Sequence, residues 1–443
     1  MTPEAHLDQA RDTLRRTFGH GDFRGLQAGV IAEALAGRSA LAVLPTGGGK
    51  SLCYQIPSMI RPGLGIVVSP LIALMADQVA GLQQSGVAAE RLDSDTMMDD
   101  RSRIWRQIEA GELDLLYMSP EGLMQSHMLD RLAQVQIALI AVDEAHCVSQ
   151  WGHDFRPEYR TLGRLAEIFP TVPRLAVTAT ADARTRDDIR TELHLTDAAE
   201  FVDSFARPEL ALSAERKRGR GHERVIELVK ERRGRAGVVY AGSREGTDLL
   251  AQKLCDQGIP ALAYHAGLDR KVREERLTRF LDEDDAVMVA TIAFGMGIDK
   301  SDIRNVVHFD LPKSIENYSQ EIGRAGRDGK PSDCLVLANR DSLNVLENFV
   351  YGDTPELDGI RCVLDKLLSE RDNGEWELML NQLSEQSNIR QLPLKTLLVQ
   401  LELRGIIAPR YAYFAEYRFK YLLEPEALVA KFDGERRQFV EAL

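Results

Sequence analysis

Phosphate chemistry is the first thing the residue pattern offers. The stretch LAVLPTGGGKSLCYQIP carries Gly47, Gly48, Gly49, Lys50 and Ser51 between a run of strand character and a run of helical character. Successive glycines let backbone N–H groups turn inward around phosphate oxygens, and a helix N-terminus adds its positive end. In that setting Lys50 reaches the β- and γ-phosphates and Ser51 ligates Mg²⁺. The strict GxxxxGK[ST] spacing asks for glycine where this chain has Leu44, but the physical ingredients are present. Downstream, IALIAV runs straight into Asp143, Glu144, Ala145 and His146. One carboxylate at such a strand end can hold Mg²⁺ through water while its neighbour orients or deprotonates the attacking water. Phosphoanhydride hydrolysis needs that division of labour. A third stretch, QEIGRAGRDG, spaces Gln320, Arg324 and Arg327 four and three apart, which predicts one shared helical face. Two arginines presented to a cleft fit transition-state stabilisation by an arginine finger. Together the three stretches place ATP between two lobes, so that its hydrolysis changes their separation.

The residues just past His146 raise a separate question. Trp151, His153, Phe155, Arg156 and Tyr159 crowd into one short segment. Either they decorate a loop over a core, or they make two binding events feel each other.

The elements that must position these groups are legible as short β-branched runs alternating with amphipathic stretches. Strands are predicted at 40–44, 65–69, 114–118, 137–142 and 174–178, with helices such as 71–84 and 182–194 between or after them. The pattern weakens near FVDSFARPELALSAERKRGRG. It then restarts with strands at 236–240, 260–264, 286–291, 305–309 and 333–338. This alternation is the signature of α/β lobes with doubly wound parallel sheets. Two such lobes are expected, at 1–206 and 207–340, followed by a helical connector at 341–386. Residues 387–443 read as helix, turn, helix and hairpin, the order of a winged helix, with one helix ending at Gly405.

Composition bounds the rest. A chain of 443 residues with 44% apolar and 28% charged residues is too long for one ordinary core and has the balance of a soluble protein. No apolar run approaches the ~18–20 residues of a membrane span, and the charged N-terminus lacks a signal-peptide stretch. The five cysteines, at 53, 147, 255, 334 and 362, form no CxxC pair. They point to a reducing compartment, and the expected location is cytoplasmic. The net charge of −13 argues mildly against indiscriminate nucleic-acid binding, although local fields decide contact. Residues 215–235 hold nine Arg/Lys against four Glu: either a solvated face or a strip that meets phosphates.

At this point the residues closely resemble the RecQ family of superfamily 2 DNA helicases. The matching stretches include FRGLQ (23–27), TGGGKSLCYQIP (46–57), SPLIALMADQV (69–79), YMSPE (117–121), DEAH (143–146) and TAT (178–180). They continue with YHAGL (264–268), ATIAFGMGIDK (290–300) and QEIGRAGRDG (320–329), covering roughly residues 10–340. The resemblance implies two RecA-like lobes, ATP-driven 3′→5′ translocation on single-stranded DNA and unwinding of 3′-tailed or forked duplexes, in the setting of DNA repair and recombination. It implies that Gln27 reads the adenine edge and that Arg24 packs on its face. His20 stands where the family usually has an aromatic. The same likeness carries roles at the ATP site to Lys50, Ser51, Asp143, Glu144, His146, Arg324 and Arg327. It also makes the segment with Trp151, His153, Phe155 and Arg156 a loop that contacts single-stranded DNA and signals to the ATP site.

The match also departs from the family after the second lobe. Typical relatives carry a four-cysteine zinc module after the second lobe, whereas only Cys334 and Cys362 follow Arg327 here. Two thiols cannot fill a tetrahedral site, so no zinc is expected. The hairpin RYAYFAEYRFKYL is either a packed aromatic face or a wedge with Phe414 or Tyr417 at its tip. Lys395 and Arg404 on the preceding helix could meet DNA backbone. The competing functional readings are an RNA helicase, a translocase that remodels protein–DNA complexes without unwinding, and a binding module with an idle ATPase. Protein partners are not legible.

Overall fold

The structure is a computed structural model. It describes residues 3–149, 155–219, 221–232, 234–291, 294, 300–339, 343, 347, 354–369 and 374–408. The chain forms two compact units, residues 1–354 and 355–443.

The first unit holds two parallel sheets. Sheet one contains β1 (Ala40–Val43), β2 (Leu64–Val68), β3 (Ala89–Leu92), β4 (Leu115–Met118), β5 (Ile137–Val142), β6 (Arg174–Thr178) and β7 (Ala199–Val202). Their spatial order is β3-β4-β2-β5-β6-β1-β7. Side chains alternate between its faces, as the pleat requires. Leu41, Val43, Ile66, Val68, Ile140 and Val142 pack on one side, and Ala40, Ala42, Val67, Leu139 and Ala141 on the other. Both faces are covered by helices, so the central strands are apolar throughout. Truncating a fully buried residue such as Ile140 to alanine would cost about 2–5 kcal/mol.

Sheet two contains β8 (Leu210–Arg216), β9 (Gly237–Tyr240), β10 (Ala261–Tyr264), β11 (Val287–Ala290), β12 (Asn305–His308) and β13 (Ser332–Ala338). Their order is β10-β11-β9-β12-β13-β8. All ten strands expected from the sequence are present to within a residue or two. The predicted helices at 71–84 and 182–194 are Ile72–Gln84 and Ala183–Glu192. Three strands escaped the pattern: β3, β7 and β8. Each lies at a sheet edge. With one neighbour and partial burial these three carry no continuous apolar run, unlike the edge strand β10 with its buried Ala261–Ala263; β8 is exposed at all but its first residue.

In the second unit, helices Leu357–Ser369, Leu380–Ser387 and Gln391–Leu403 share a small core of Val363, Leu383, Ile389 and Leu394. That core spans the 386/387 division drawn from the sequence. The last helix stops where expected, before Gly405 in the left-handed conformation (φ +69°). The hairpin over 411–421, with Phe414 and Tyr417, lies outside the described residues.

Candidate nucleotide site

Three neighbouring strands build the first half of the site. β5, β6 and β1 lie side by side, so their carboxyl ends bring DEAH, TAT and the glycine loop together. This is the crevice where open parallel sheets place ligands. After β1 the chain turns through the glycines into the helix Leu52–Ile60. Gly47 and Gly49 are left-handed, with φ +79° and +66°. A Cβ on Gly48 would stand 2.8 Å from the Pro45 carbonyl oxygen, and one on Gly49 2.4 Å from Gln27 Nε2. No other residue fits this turn without rearrangement.

Gln27 braces the loop from behind. Its Nε2 donates to the carbonyls of Gly48 (2.8 Å) and Gly49 (3.1 Å), and its Oε1 accepts from the Arg24 backbone N–H (2.9 Å). The amide that the resemblance assigns to adenine is thus committed to the glycine loop, while His20 and Arg24 are exposed.

The acidic pair sits on buried ground. Asp143 and Glu144 are 4% and 9% exposed. Asp143 Oδ1 accepts from the Glu144 N–H (2.9 Å), and Tyr54 Oη lies 3.4 Å from its other oxygen. Burial first, then the Glu144 charge, pushes the Asp143 carboxyl up to about 7, and Lys50 opposes the shift. Glu144 itself is left-handed at φ +47°. A non-glycine residue held there stores of order 1–3 kcal/mol of strain, a pattern common where a side chain must be aimed. His146 Nδ1 lies 2.8 Å from Thr178 Oγ1 and 3.4 Å from Glu144 Oε2. Thr178 Oγ1 in turn lies within hydrogen-bond reach of both backbone groups of Thr180. DEAH and TAT are therefore one hydrogen-bonded unit.

The segment after DEAH is tied to the same unit. Tyr159 is fully buried and its hydroxyl donates to the Asp143 carbonyl (3.1 Å). The Arg156 N–H donates to the Cys147 carbonyl (2.9 Å), and its guanidinium donates to the Pro70 carbonyl (3.0 Å) in the SPL stretch. The Arg160 guanidinium lies 5.9 Å from the Phe155 ring centroid. Trp151 and His153 lie outside the described residues. Tyr159, present in the crowded segment but given no role from sequence, is the residue that joins it to the acidic pair.

The second half of the site corrects one expectation. Gln320 lies on the helix Ile315–Ile322, but that helix ends before Arg324 and Arg327. The shared helical face does not exist: the arginines occupy turns after Gly323, with Gly326 left-handed at φ +60°. Glycines at 323 and 326 end the helical repeat, which spacing alone could not register. Arg327 faces the glycine loop, where a Cβ on Gly47 would stand 3.2 Å from its Cγ. Arg324 is 5% exposed and is packed near Tyr240, whose phenol burial pushes up to about 12 while Arg324 pulls the other way. Beside it, His308 and Glu321 pair at 2.7 Å, both buried.

Sequence reading also missed Arg207, in the connection between β7 and β8. Its guanidinium donates to the Thr46 carbonyl (2.9 Å) and to the carbonyls of Ala325 (3.0 Å) and Gly326 (3.2 Å). No periodicity or motif marks it. Three residues of the basic strip at 215–235 form ion pairs within their own lobe: Arg224 with Glu215 (2.8 Å), Lys217 with Asp310 (2.9 Å) and Arg232 with Asp333 (2.6 Å). All five cysteines are free. Among the described residues, no group of three or more His, Cys, Asp or Glu could hold a metal ion, and no helix is long and apolar enough to cross a membrane.

Twin parallel-sheet lobes with a glycine loop and acidic pair on one and an arginine turn on the other define a superfamily 2 nucleotide motor fold. The DEAD/DEAH box helicase family matches residues 24–189, and the helicase conserved C-terminal domain matches residues 221–329. The chain is 45% identical over 328 residues to the ATP-dependent DNA helicase RecQ of Haemophilus influenzae, covering 74% of this chain and 53% of that protein. It is 38% identical over 376 residues to the "Probable ATP-dependent DNA helicase RecS" of Bacillus subtilis, covering 84% of this chain and 75% of that one. The fold resembles Mycobacterium smegmatis helicase Lhr, solved with ssDNA and AMP-PNP, at TM-score 0.58 and 20% identity, over 87% of this chain and 56% of that one. The chain belongs to the RecQ family. It spans about half the length of the curated RecQ proteins it matches.

Proposed function

We propose that the protein is an ATP-dependent 3′→5′ DNA helicase that translocates on single-stranded DNA and unwinds 3′-tailed or forked duplexes. The observation that carries this reading is the seam, where Arg327 of the second lobe lies against Gly47 of the first. A nucleotide whose phosphates fill the glycine loop then touches both lobes, and hydrolysis alters how they meet. The working division is a first lobe at 1–206, a second at 207–340, a helical connector at 341–386 and a winged helix at 387–443.

The donor set fits a magnesium ion. Two adjacent buried carboxylates, one pushed toward neutrality by desolvation and its neighbour's charge, are relieved by a divalent cation. Ser51 and Asp143 would hold it together with phosphate and water oxygens, and it would supply charge neutralisation at the phosphoryl group. Lys50 binds the terminal phosphates. Glu144, aimed by its left-handed backbone and neighboured by His146, orients the attacking water and accepts its proton. Arg327 stabilises charge on the transferring phosphoryl group. Arg24 and His20 flank the base, and Gln27 couples base recognition to the glycine loop that it braces. DNA binding enters through the segment around Trp151, His153, Phe155 and Arg156. Bases stack on aromatic faces for about 1–3 kcal/mol each, tolerant of sequence. The Tyr159–Asp143 and Arg156–Pro70 hydrogen bonds give a loop movement a short route to the acidic pair.

The test is ATP turnover with single-stranded DNA, duplex DNA or RNA, followed by unwinding of 3′- and 5′-tailed duplexes. Turnover stimulated by single-stranded DNA, with unwinding of the 3′-tailed substrate, is expected. Equal stimulation by RNA, or unwinding only from a 5′ tail, overturns the reading.

A further inference from the structure

We infer that Arg207, outside the motifs quoted for the family resemblance, is a positioning residue that sets the arginine turn against the glycine loop. The inference rests on the ATPase reading above and adds a residue to its machinery.

Arg207 lies in the connection between the two sheets, after β7 ends at Val202 and before β8 begins at Leu210. One terminal nitrogen donates to Thr46, the residue before the loop glycines, and the other to Ala325 and Gly326, the two residues before Arg327. Its Nε donates to the Glu209 carboxylate. A planar fork with fixed donor directions can satisfy acceptors on both lobes at once only in one relative placement of the lobes. The backbones around it are already in contact. A Cβ on Gly323 would stand 2.8 Å from Thr46 Cβ, and one on Gly326 3.3 Å from Glu209 Cγ. The same connection reaches the first lobe again where Asp203 N–H donates to the Val43 carbonyl (2.9 Å).

The partners are unequally divided. Glu209, Ala325 and Gly326 belong with the second lobe and Thr46 with the first. When the lobes separate, Arg207 stays with the arginine turn and releases Thr46; when they close, the Thr46 carbonyl restores the placement of Arg327. Arg207 donates to backbone carbonyls beside the nucleotide cleft rather than to the nucleotide. Its loss should therefore act on the chemical step more than on binding.

Arg207→Ala, Arg207→Lys and Glu209→Gln should be compared with wild type for affinity toward a fluorescent ATP analogue and for DNA-stimulated turnover. Melting temperature serves as the folding control. Misplacing a reacting group by about 1 Å can cost 10²-fold. We expect Arg207→Ala to lower kcat about 10- to 100-fold with nucleotide affinity within about 3-fold of wild type. Arg207→Lys should recover part of that loss, because one ammonium can serve only one lobe's carbonyls well. Glu209→Gln should lie between wild type and Arg207→Ala. Unchanged kcat in folded Arg207→Ala overturns the inference, as does a loss confined to nucleotide affinity. Absence of turnover in wild type with any nucleic acid instead overturns the ATPase reading.

Discussion

The two halves of the candidate nucleotide site are held by different physics. In the first lobe the phosphate-loop and acidic groups each follow a parallel strand, and β5, β6 and β1 deliver DEAH, TAT and the glycine loop side by side. Backbone geometry and sheet packing place them, with hydrogen bonds within the lobe as finishing: His146 to Thr178, Tyr159 to Asp143, Gln27 to the loop. In the second lobe the arginines sit on turns beyond a helix end. What orients those turns is a set of polar contacts, among them His308–Glu321 and the Arg207 fork, and one of these crosses the seam. The first half is preorganised by its own sheet; the second is completed only against its neighbour. The proposed motor needs that asymmetry, because one side of the cleft has to be able to leave.

The largest expected effect separates the halves most sharply. Arg327→Ala should lower DNA-stimulated turnover about 10³-fold or more, the scale of an arginine finger, with nucleotide affinity nearly intact. Lys50→Ala should abolish turnover by weakening phosphate binding itself. Equilibrium binding of a labelled nucleotide to both variants checks the contrast, and equal affinity losses would break it. Glu144→Gln should come next, reducing turnover about 10²- to 10⁴-fold, the usual worth of general-base catalysis. Nucleotide should still bind, as read by single-turnover kinetics. A third comparison sets the two arginines against each other. Arg324 is buried beside Tyr240 and Glu321, so Arg324→Ala should lower the melting temperature by several degrees, whereas Arg327→Ala should leave it unchanged. Matching melting curves for the two would show that burial does not distinguish their roles.

Smaller effects probe the link from DNA. Phe155→Ala should keep basal turnover while weakening apparent affinity for single-stranded DNA about 10-fold, the worth of one stacked base; unaltered stimulation would remove the coupling role. Smallest is a pH effect confined to the first half. Asp143 has a folded-state value of about 7 against an ordinary 3.8, so the folded chain binds the proton more tightly than the unfolded one. Stability should therefore decline as pH rises through that interval in the absence of nucleotide and magnesium. Asp143→Asn should flatten the decline; an identical slope in thermal denaturation from pH 5 to 8 would contradict the assigned cause.

Much of the first half was legible in the sequence because it is local. The glycines, Lys50 and Ser51 are consecutive, Asp143 and Glu144 close an apolar run, and each sits at a strand end that the run itself announces. Interior strands were read to within a residue or two for the same reason. β3, β7 and β8 were not, since these edge strands are half-solvated and their composition does not differ from a loop's, whereas the edge strand β10 keeps a buried apolar run. The second half misled: spacings of four and three among Gln320, Arg324 and Arg327 imitate a helix, but glycines at 323 and 326 end it. The aromatic segment was recognised as a unit, while Tyr159, which fastens it to Asp143, drew attention only as one ring among several.

Sequence by itself determined the chemistry available to this protein: a phosphate loop, an acidic pair, two arginines and the alternating runs that become parallel sheets. These are short-range patterns, set by neighbouring residues and the period of a helix or strand. Only the tertiary structure decided that Arg327 lies against the glycine loop, that Gln27 braces that loop, and that Arg207 spans the seam. Arg207 and Thr46 are 161 residues apart in the chain. A contact at that separation is set by how two sheets fold and meet, and it leaves no periodic trace along the sequence.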